Sequence, residues 1–243
     1  MSSSWQQRMA ETLSKQPEGA SIAVVTLLGS LCPITSGHIL AFVEARKLCL
    51  GADGVRRPAR LERFDEAIGF ISLNGDRSVD AKLNRKGLDS LTQQERRALV
   101  HLAIAEIPWM GTEEKEGGSM SELRATWPHL TFTQFIMNGA DDVRKYRKWT
   151  WTDQRLLTMG RPGDTEHVVH AAQRDGVDLE AGQFIMGPEL PDVSSSDARL
   201  ALCRGDVNRA AEMLHPDVLA WCVQHGPWRP SAKAANRTIG GAR

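Results

Sequence analysis

Two short stretches hold the residues best suited to chemistry. In "LLGSLCPITSGHIL", Leu27 to Leu40, an apolar run opens into Gly29-Ser30, passes Pro33 and Thr35, and delivers His38 before turning apolar again. Gly29 and Ser30 lack the bulk that would hold a large anion away from the main chain. Gly37 falls at the next helix start, where unbonded N–H groups and the helix dipole favour negative charge. His38 would meet the same anion from the first turn, and an imidazole there can donate a hydrogen bond to a phosphate oxygen as charge develops on it. In "DVSSSDARLALCRGD", Asp192 to Asp206, three serines open another helix. Ser194 or Ser195 can cap it, while Ser195, Ser196 and the first amides can receive phosphate oxygens. Arg199 follows about one turn later, and its guanidinium can chelate the same anion. A capping histidine and a Ser-capped helix with a surface arginine are the purely structural readings of the same letters. Neither stretch is GxxxxGK[ST] or GxGxxG.

The elements that must position these groups follow from periodicity. "SIAVVTLL", Ser21 to Leu28, is β-branched and apolar and reads as a buried parallel strand. "GHILAFVEARKLCLG" reads as a helix with Ile39, Phe42, Val43, Cys49 and Leu50 on one face and Gly51 as its stop. Strand, small-residue loop and helix are the opening of a doubly wound α/β fold with a mostly parallel sheet. Further strands are expected near Ala67 to Leu73, in "TFTQFIMNGAD", in "QRLLTMGRPGD" ending at Arg161, and in "GQFIMGPE". Several end in Gly-containing loops, and ligands of open parallel sheets bind beyond such carboxyl ends. "LTQQERRALVHLAIAEI" is a helix whose Thr92 and Glu95 have the spacing of a capping box. "GTEEKEGGSMS" is expected to be a mobile surface loop. Residues 1–228 are expected to form one domain and 229–243 a disordered tail, because "RPSAKAANRTIGGAR" is poor in apolar residues.

Composition narrows the partners. Thirty basic and thirty acidic residues cancel, so no charge excess points to nucleic acid or a membrane surface, and neither is expected as a partner. The apolar run Ile22 to Leu28 is far short of a membrane span, and the N-terminus lacks a signal-peptide core, so an intracellular location, cytoplasmic or nuclear, is expected. The four cysteines form no CxxC pair and are read as free thiols. His167 and His170 could share a helical face but have no third ligand nearby, and no metal site is expected.

"GSLCPITSGH" resembles the signature of the nucleotidylyltransferase superfamily, Gly-[Ser/Gly]-x-x-Pro-x-[His/Thr]-x-x-His, with Thr35 at the His/Thr position and His38 at the essential histidine. "DVSSSDAR" is similar to the family's Ile-Ser-Ser-Thr-x-Ile-Arg, with Ser194, Ser195, Ser196 and Arg199 in the matching places. The C-terminal "MLHPDVLAWCVQHGPW" and the segment "FIMNGADDV" resemble nicotinamide/nicotinate mononucleotide adenylyltransferases of the eukaryotic type. That resemblance implies a Rossmann-like nucleotidyltransferase fold with C-terminal helices. It implies ATP contacts at Gly29, Ser30, Thr35, His38, Ser194, Ser195, Ser196 and Arg199, with Arg85 or Lys86, or less readily Lys82, in place of a phosphate-binding lysine. It implies mononucleotide contacts at Gly139, Asp141 and Arg161, and a ring-stacking tryptophan at Trp149, with Trp151 the alternative. The sequence departs from the family at Leu31-Cys32, Leu73, Pro191 and Ala198, and the tryptophan-rich segment is reduced to "PWMGTEEKEGGSMS".

The implied reaction joins ATP and nicotinamide or nicotinate mononucleotide (NMN or its nicotinate analogue), giving NAD or its deamido form and pyrophosphate. His38 and Arg199 would be its catalytic residues. Mg²⁺ would be carried mainly by the ATP phosphates, and homo-oligomerisation stays open. Two other readings stand beside it: transfer to pantetheine phosphate or choline phosphate, and a nucleotide-binding relative that has lost activity.

Overall fold

β-Branched residues crowd the first apolar run, and it folds as a strand, β1 (Ser21–Gly29), buried from Ile22 to Thr26. The computed structural model describes residues 4–113 and 118–229. Five more strands follow: β2 (Glu66–Leu73), β3 (Met110–Thr112), β4 (Thr131–Gly139), β5 (Leu156–Gly160) and β6 (Phe184–Glu189). They form one parallel sheet in the order β3-β2-β1-β4-β5-β6. The chain therefore winds outward from β1 in one direction, returns to its centre at β4, and winds outward in the other. The order reverses between β1 and β4, where Ser21 pairs with Thr131 and Thr26 with Ile136. This is the doubly wound α/β class expected from the strand–loop–helix pattern. The short β3 was not anticipated: three residues are too few to show a period.

The chain divides into two units. The first draws on Met1–Leu28, Ile39–Ser72 and Ile104–Asp192 and contains the sheet. Its helices are α1 (Trp5–Leu13), most of α2 (Ser36–Leu50), α5 (Gly118–Thr126), α6 (Ala140–Tyr146) and α7 (Thr165–Arg174). α2 buries Ala41, Phe42, Ala45, Leu48 and Cys49, so only Phe42 and Cys49 of the expected face are buried, because the helix is apolar on nearly every side. Gly69 of β2 makes room for it: a Cβ there would lie 2.6 Å from the Phe42 ring. The expected loop at 111–121 is shorter than read, since Gly111 and Thr112 belong to β3 and Gly118 to Ser121 to α5, and 114–117 lie outside the described residues.

The second unit draws on Gly29–His38, Leu73–Ala103 and Val193–Arg243. It holds α3 (Asp76–Asn84), α4 (Gln93–Ala103), α8 (Ser195–Arg204), α9 (Val207–Ala211) and α10 (Pro216–His225). The capping box forms: Thr92 N–H donates to Glu95 Oε2 at 2.8 Å, and Glu95 N–H to Thr92 Oγ1 at 3.2 Å. α8 stops at Gly205, whose φ of +73° is the left-handed cap a glycine takes without strain. Past α10, the Trp228 ring is buried and its Nε1 donates to Asp89 O at 3.0 Å. The tail expected to be disordered lies, from residue 230 onward, outside the described residues. Among the described residues no helix is long and apolar enough to cross a membrane.

Candidate functional site

The phosphate-binding candidates of the first loop gather in the second unit. β1 ends at Gly29, and the chain turns sharply through Leu31, whose φ of +42° lies in the left-handed region. Such a backbone costs a non-glycine residue about 1–2 kcal/mol, so surrounding bonds must hold it. Thr35 is fully buried, and its amide donates to His38 Nδ1 at 3.0 Å. The Thr35 hydroxyl lies 2.7 Å from the same nitrogen. An amide N–H can only donate, so Nδ1 is the acceptor and the neutral ring carries its proton on Nε2. Thr35 thus fixes both the tautomer and the orientation of the imidazole. Gly37 lies against Val193, where a Cβ would be 3.3 Å from the Val193 Cβ.

Helix α8 is bonded directly to this loop. Ser194 is its N-cap, accepting from Asp197 N–H at 3.1 Å and donating to Asp197 Oδ2 at 2.6 Å. The Ser195 hydroxyl donates to Pro33 O at 2.8 Å, so it serves the loop rather than pointing outward as expected. Arg199 is buried; Nη1 donates to Cys32 O and Nη2 to Ser196 Oγ at 3.0 Å. The Ser196 hydroxyl also receives Lys86 Nζ at 3.5 Å. The Arg199 guanidinium stands 6.0 Å from the Trp228 ring centroid. Its Nε makes no hydrogen bond, and no ion pair forms at Arg199 among the described residues. Burial pushes its pKa below the ordinary arginine value. A buried cation bonded only to neutral acceptors is poorly compensated.

Of the two basic alternatives after α3, Lys86 reaches α8 and Arg85 does not. Arg85 is exposed and donates from Nε to Ala81 O of its own helix at 3.0 Å. Ser30, by contrast, is firmly held: its carbonyl accepts from Arg96 Nη1 at 2.9 Å and its hydroxyl lies 3.4 Å from Asn74 Nδ2. Neither Arg96 nor Asn74 was picked out from the sequence. In "QQERRALVH" two arginines stand side by side, and nothing local tells which is buried.

The mononucleotide candidates lie in the first unit. β4 ends at Gly139 and α6 begins at once. The Asp141 carboxylate folds back over Gly139, where a Cβ would lie 2.7 Å from Asp141 Oδ1. Arg161, just past β5, donates from Nη1 to Asp141 Oδ2 at 3.5 Å and from Nη2 to Asp192 Oδ1 at 2.9 Å. The Asp192 bond first, then the Asp141 charge, holds the Arg161 pKa above its ordinary value. Asp141, Arg161 and Asp192 thus form a surface ion-pair group with its cation in the middle.

Trp149 is not the exposed ring the sequence reading expected. It sits in a 3-10 turn (Lys148–Thr150), only 6% exposed and packed with Val143, Leu156, Val168 and Phe184. Its Nε1 donates to Asp175 Oδ2 at 2.8 Å. That bond first, and Arg147 second, hold the Asp175 carboxyl below the usual range. Trp151 is the exposed ring, at 39%. Lys148 Nζ lies 4.9 Å from its centroid and bonds to Asn138 Oδ1 and Asp142 Oδ2, each at 2.6 Å. A single residue, Thr150, separates the two tryptophans, and no periodicity could have ranked them.

No family model matches the chain, and no curated protein matches it. Solved structures of Plasmodium falciparum nicotinic acid mononucleotide adenylyltransferase are similar to it. The structure complexed with APC is 13% identical with a TM-score of 0.54, over 86% of this chain and 97% of that one. The structure complexed with NaAD is 12% identical with a TM-score of 0.53, over 85% and 97%. The likeness is one of fold: this chain has the six-stranded, doubly wound parallel architecture of those structures.

Proposed function

We propose that the protein is a nucleotidyltransferase that moves the adenylyl group of ATP onto a pyridine mononucleotide, NMN or nicotinate mononucleotide, and releases pyrophosphate. The observation that carries this reading is the buried, poorly compensated guanidinium of Arg199, bonded to the same loop that fixes His38. A triphosphate would supply the missing negative charge. The two sequence signatures and the shared fold support the same reading.

The acceptor's 5′-phosphate oxygen attacks the α-phosphorus, and the bond from that phosphorus to the bridging β-oxygen breaks. The nucleophile is already an anion, so no general base and no covalent intermediate are needed. Catalysis then rests on in-line positioning and on stabilising charge at the transferring group. His38, with its proton on Nε2, donates to an α-phosphate oxygen. Arg199, Lys86, the Ser196 hydroxyl and the amides at the start of α8 hold the β- and γ-phosphates; Gly29 and Ser30 let them approach the main chain. Gly139, Asp141 and Arg161 contact the mononucleotide, Asp141 through the ribose hydroxyls. Magnesium enters as part of the substrate, on the triphosphate. Its ligands there would be phosphate oxygens and water.

Incubation with ATP, Mg²⁺ and either mononucleotide should yield pyrophosphate and the dinucleotide in equal amounts. Burial of Trp149 removes one feature that set a pyridine acceptor apart, so pantetheine phosphate and choline phosphate belong in the same acceptor panel. Turnover with one of those alone would move the acceptor assignment. Saturable ATP binding with no pyrophosphate from any acceptor would instead mark a nucleotide-binding protein without transferase activity.

A further inference from the structure

Arg96 is the largest fully buried side chain among the described residues, and no step of the proposed reaction uses it. Its Nε donates to Leu91 O at 3.2 Å, Nη1 to Ser30 O at 2.9 Å, and Nη2 to both Asn74 O at 2.8 Å and Asp76 Oδ1 at 2.9 Å. One planar fork thus reads four acceptors on three segments: the loop after β1, the turn after β2 and the turn before α4. The only carboxylate among them, Asp76, is half exposed. Truncating Arg96 would leave three carbonyls and the Asp76 carboxylate without their donor, a cost to stability as well. What an apolar residue cannot do is fix the direction of a carbonyl. The Ser30 carbonyl is bonded immediately before the left-handed Leu31, and Asn74 N–H bonds back to Gly29 O at 3.0 Å. The fork therefore holds the main chain at Ser30, next to the left-handed Leu31. Hydrogen bonds from a charged donor are strong enough to offset the strain of one left-handed residue.

We propose that Arg96 is the positioning residue of the nucleotide loop: by clamping Ser30 O against Asn74 O it sets the main-chain geometry that receives the triphosphate, without touching the nucleotide. This rests on the adenylyltransferase reading only in naming ATP as the ligand. Arg→Lys is not conservative at such a site, because an ammonium cannot reproduce the planar fork.

The test uses the full chain and measures MgATP and mononucleotide binding directly by calorimetry, beside steady-state constants. In R96M, ATP binding should weaken about 10- to 100-fold, the loss expected for charged hydrogen bonds, while mononucleotide binding stays within about twofold. R96K should remain at least about tenfold weak for ATP. Equal ATP affinity in folded R96M, or a fall in kcat with both Michaelis constants unchanged, overturns the proposal, since either is what a merely structural role gives. If R96M does not fold, D76A removes one of the four bonds at an exposed partner. It should weaken ATP binding about threefold or more with unchanged circular dichroism, and no change overturns the proposal. Wild-type protein that binds ATP but makes no dinucleotide sinks the adenylyltransferase reading and leaves the clamp to be judged on binding. Wild-type protein that binds no ATP sinks both.

Discussion

Arg96 and Arg199, in the second unit, are buried and bond mainly to main-chain carbonyls. Arg161, in the first unit, is half exposed and bonds to two exposed carboxylates, Asp141 and Asp192. The first arrangement cannot relax without breaking the backbone that made it. The second can exchange partners at little cost, because exposed ion pairs are worth only about 0–1 kcal/mol. The difference matches what each substrate would ask. Charge developing on a transferring phosphoryl group is stabilised best by donors fixed beforehand, whereas an acceptor must enter and leave.

The largest effect should come at the fixed end. H38A is expected to lower turnover by about 10²–10³ with ATP affinity intact, read by pyrophosphate release and calorimetry. Near-normal turnover would mean that the Thr35-locked imidazole has no part in the chemistry. A second probe asks whether the contrast extends to the cores. The thiols of Cys49, in the first unit, and Cys222, in the second, are both pushed up by burial from 9.0 to about 12. Each keeps its proton in the folded state after the unfolded chain has lost it. Stability should therefore fall as pH rises above 9.0, by about 1.4 kcal/mol per pH unit for each thiol, and level off near 12. Urea denaturation of C49A/C222A should show a flatter alkaline limb; an unchanged limb would place the loss elsewhere.

W149F should lower the unfolding free energy by about 1–2 kcal/mol, through the lost bond to Asp175, and leave the acceptor KM unchanged. A raised KM would return that ring to the acceptor site. The smallest effect is expected at the exchangeable end: D192N should change kcat/KM by less than about fivefold, with the difference shrinking as salt is added. A larger loss would make the Arg161 group as fixed as Arg96 and erase the contrast.

The legible parts of the sequence were those that repeat or that mark a boundary. β1 and α4 were readable because β-branched runs and the Thr92–Glu95 spacing act locally. The Ser194 cap of α8 was readable as one of two serines. Arg96 was not, since its partners lie at Ser30, Asn74, Asp76 and Leu91, mostly distant in sequence. Nor was the burial of Trp149, which is decided by its packing against Val168 and Phe184 rather than by neighbours in the chain. Arg85 and Lys86 were indistinguishable as letters; their side chains part at the end of α3.

The loop from Ser30 to Pro33 receives three of its bonds on peptide oxygens: Ser30 O from Arg96, Cys32 O from Arg199 and Pro33 O from Ser195. Every amino acid carries that oxygen. Substitution along the loop can therefore leave these three bonds in place. A bonding scheme carried by the main chain asks little of the letters above it, and the fold is shared with structures only 12–13% identical.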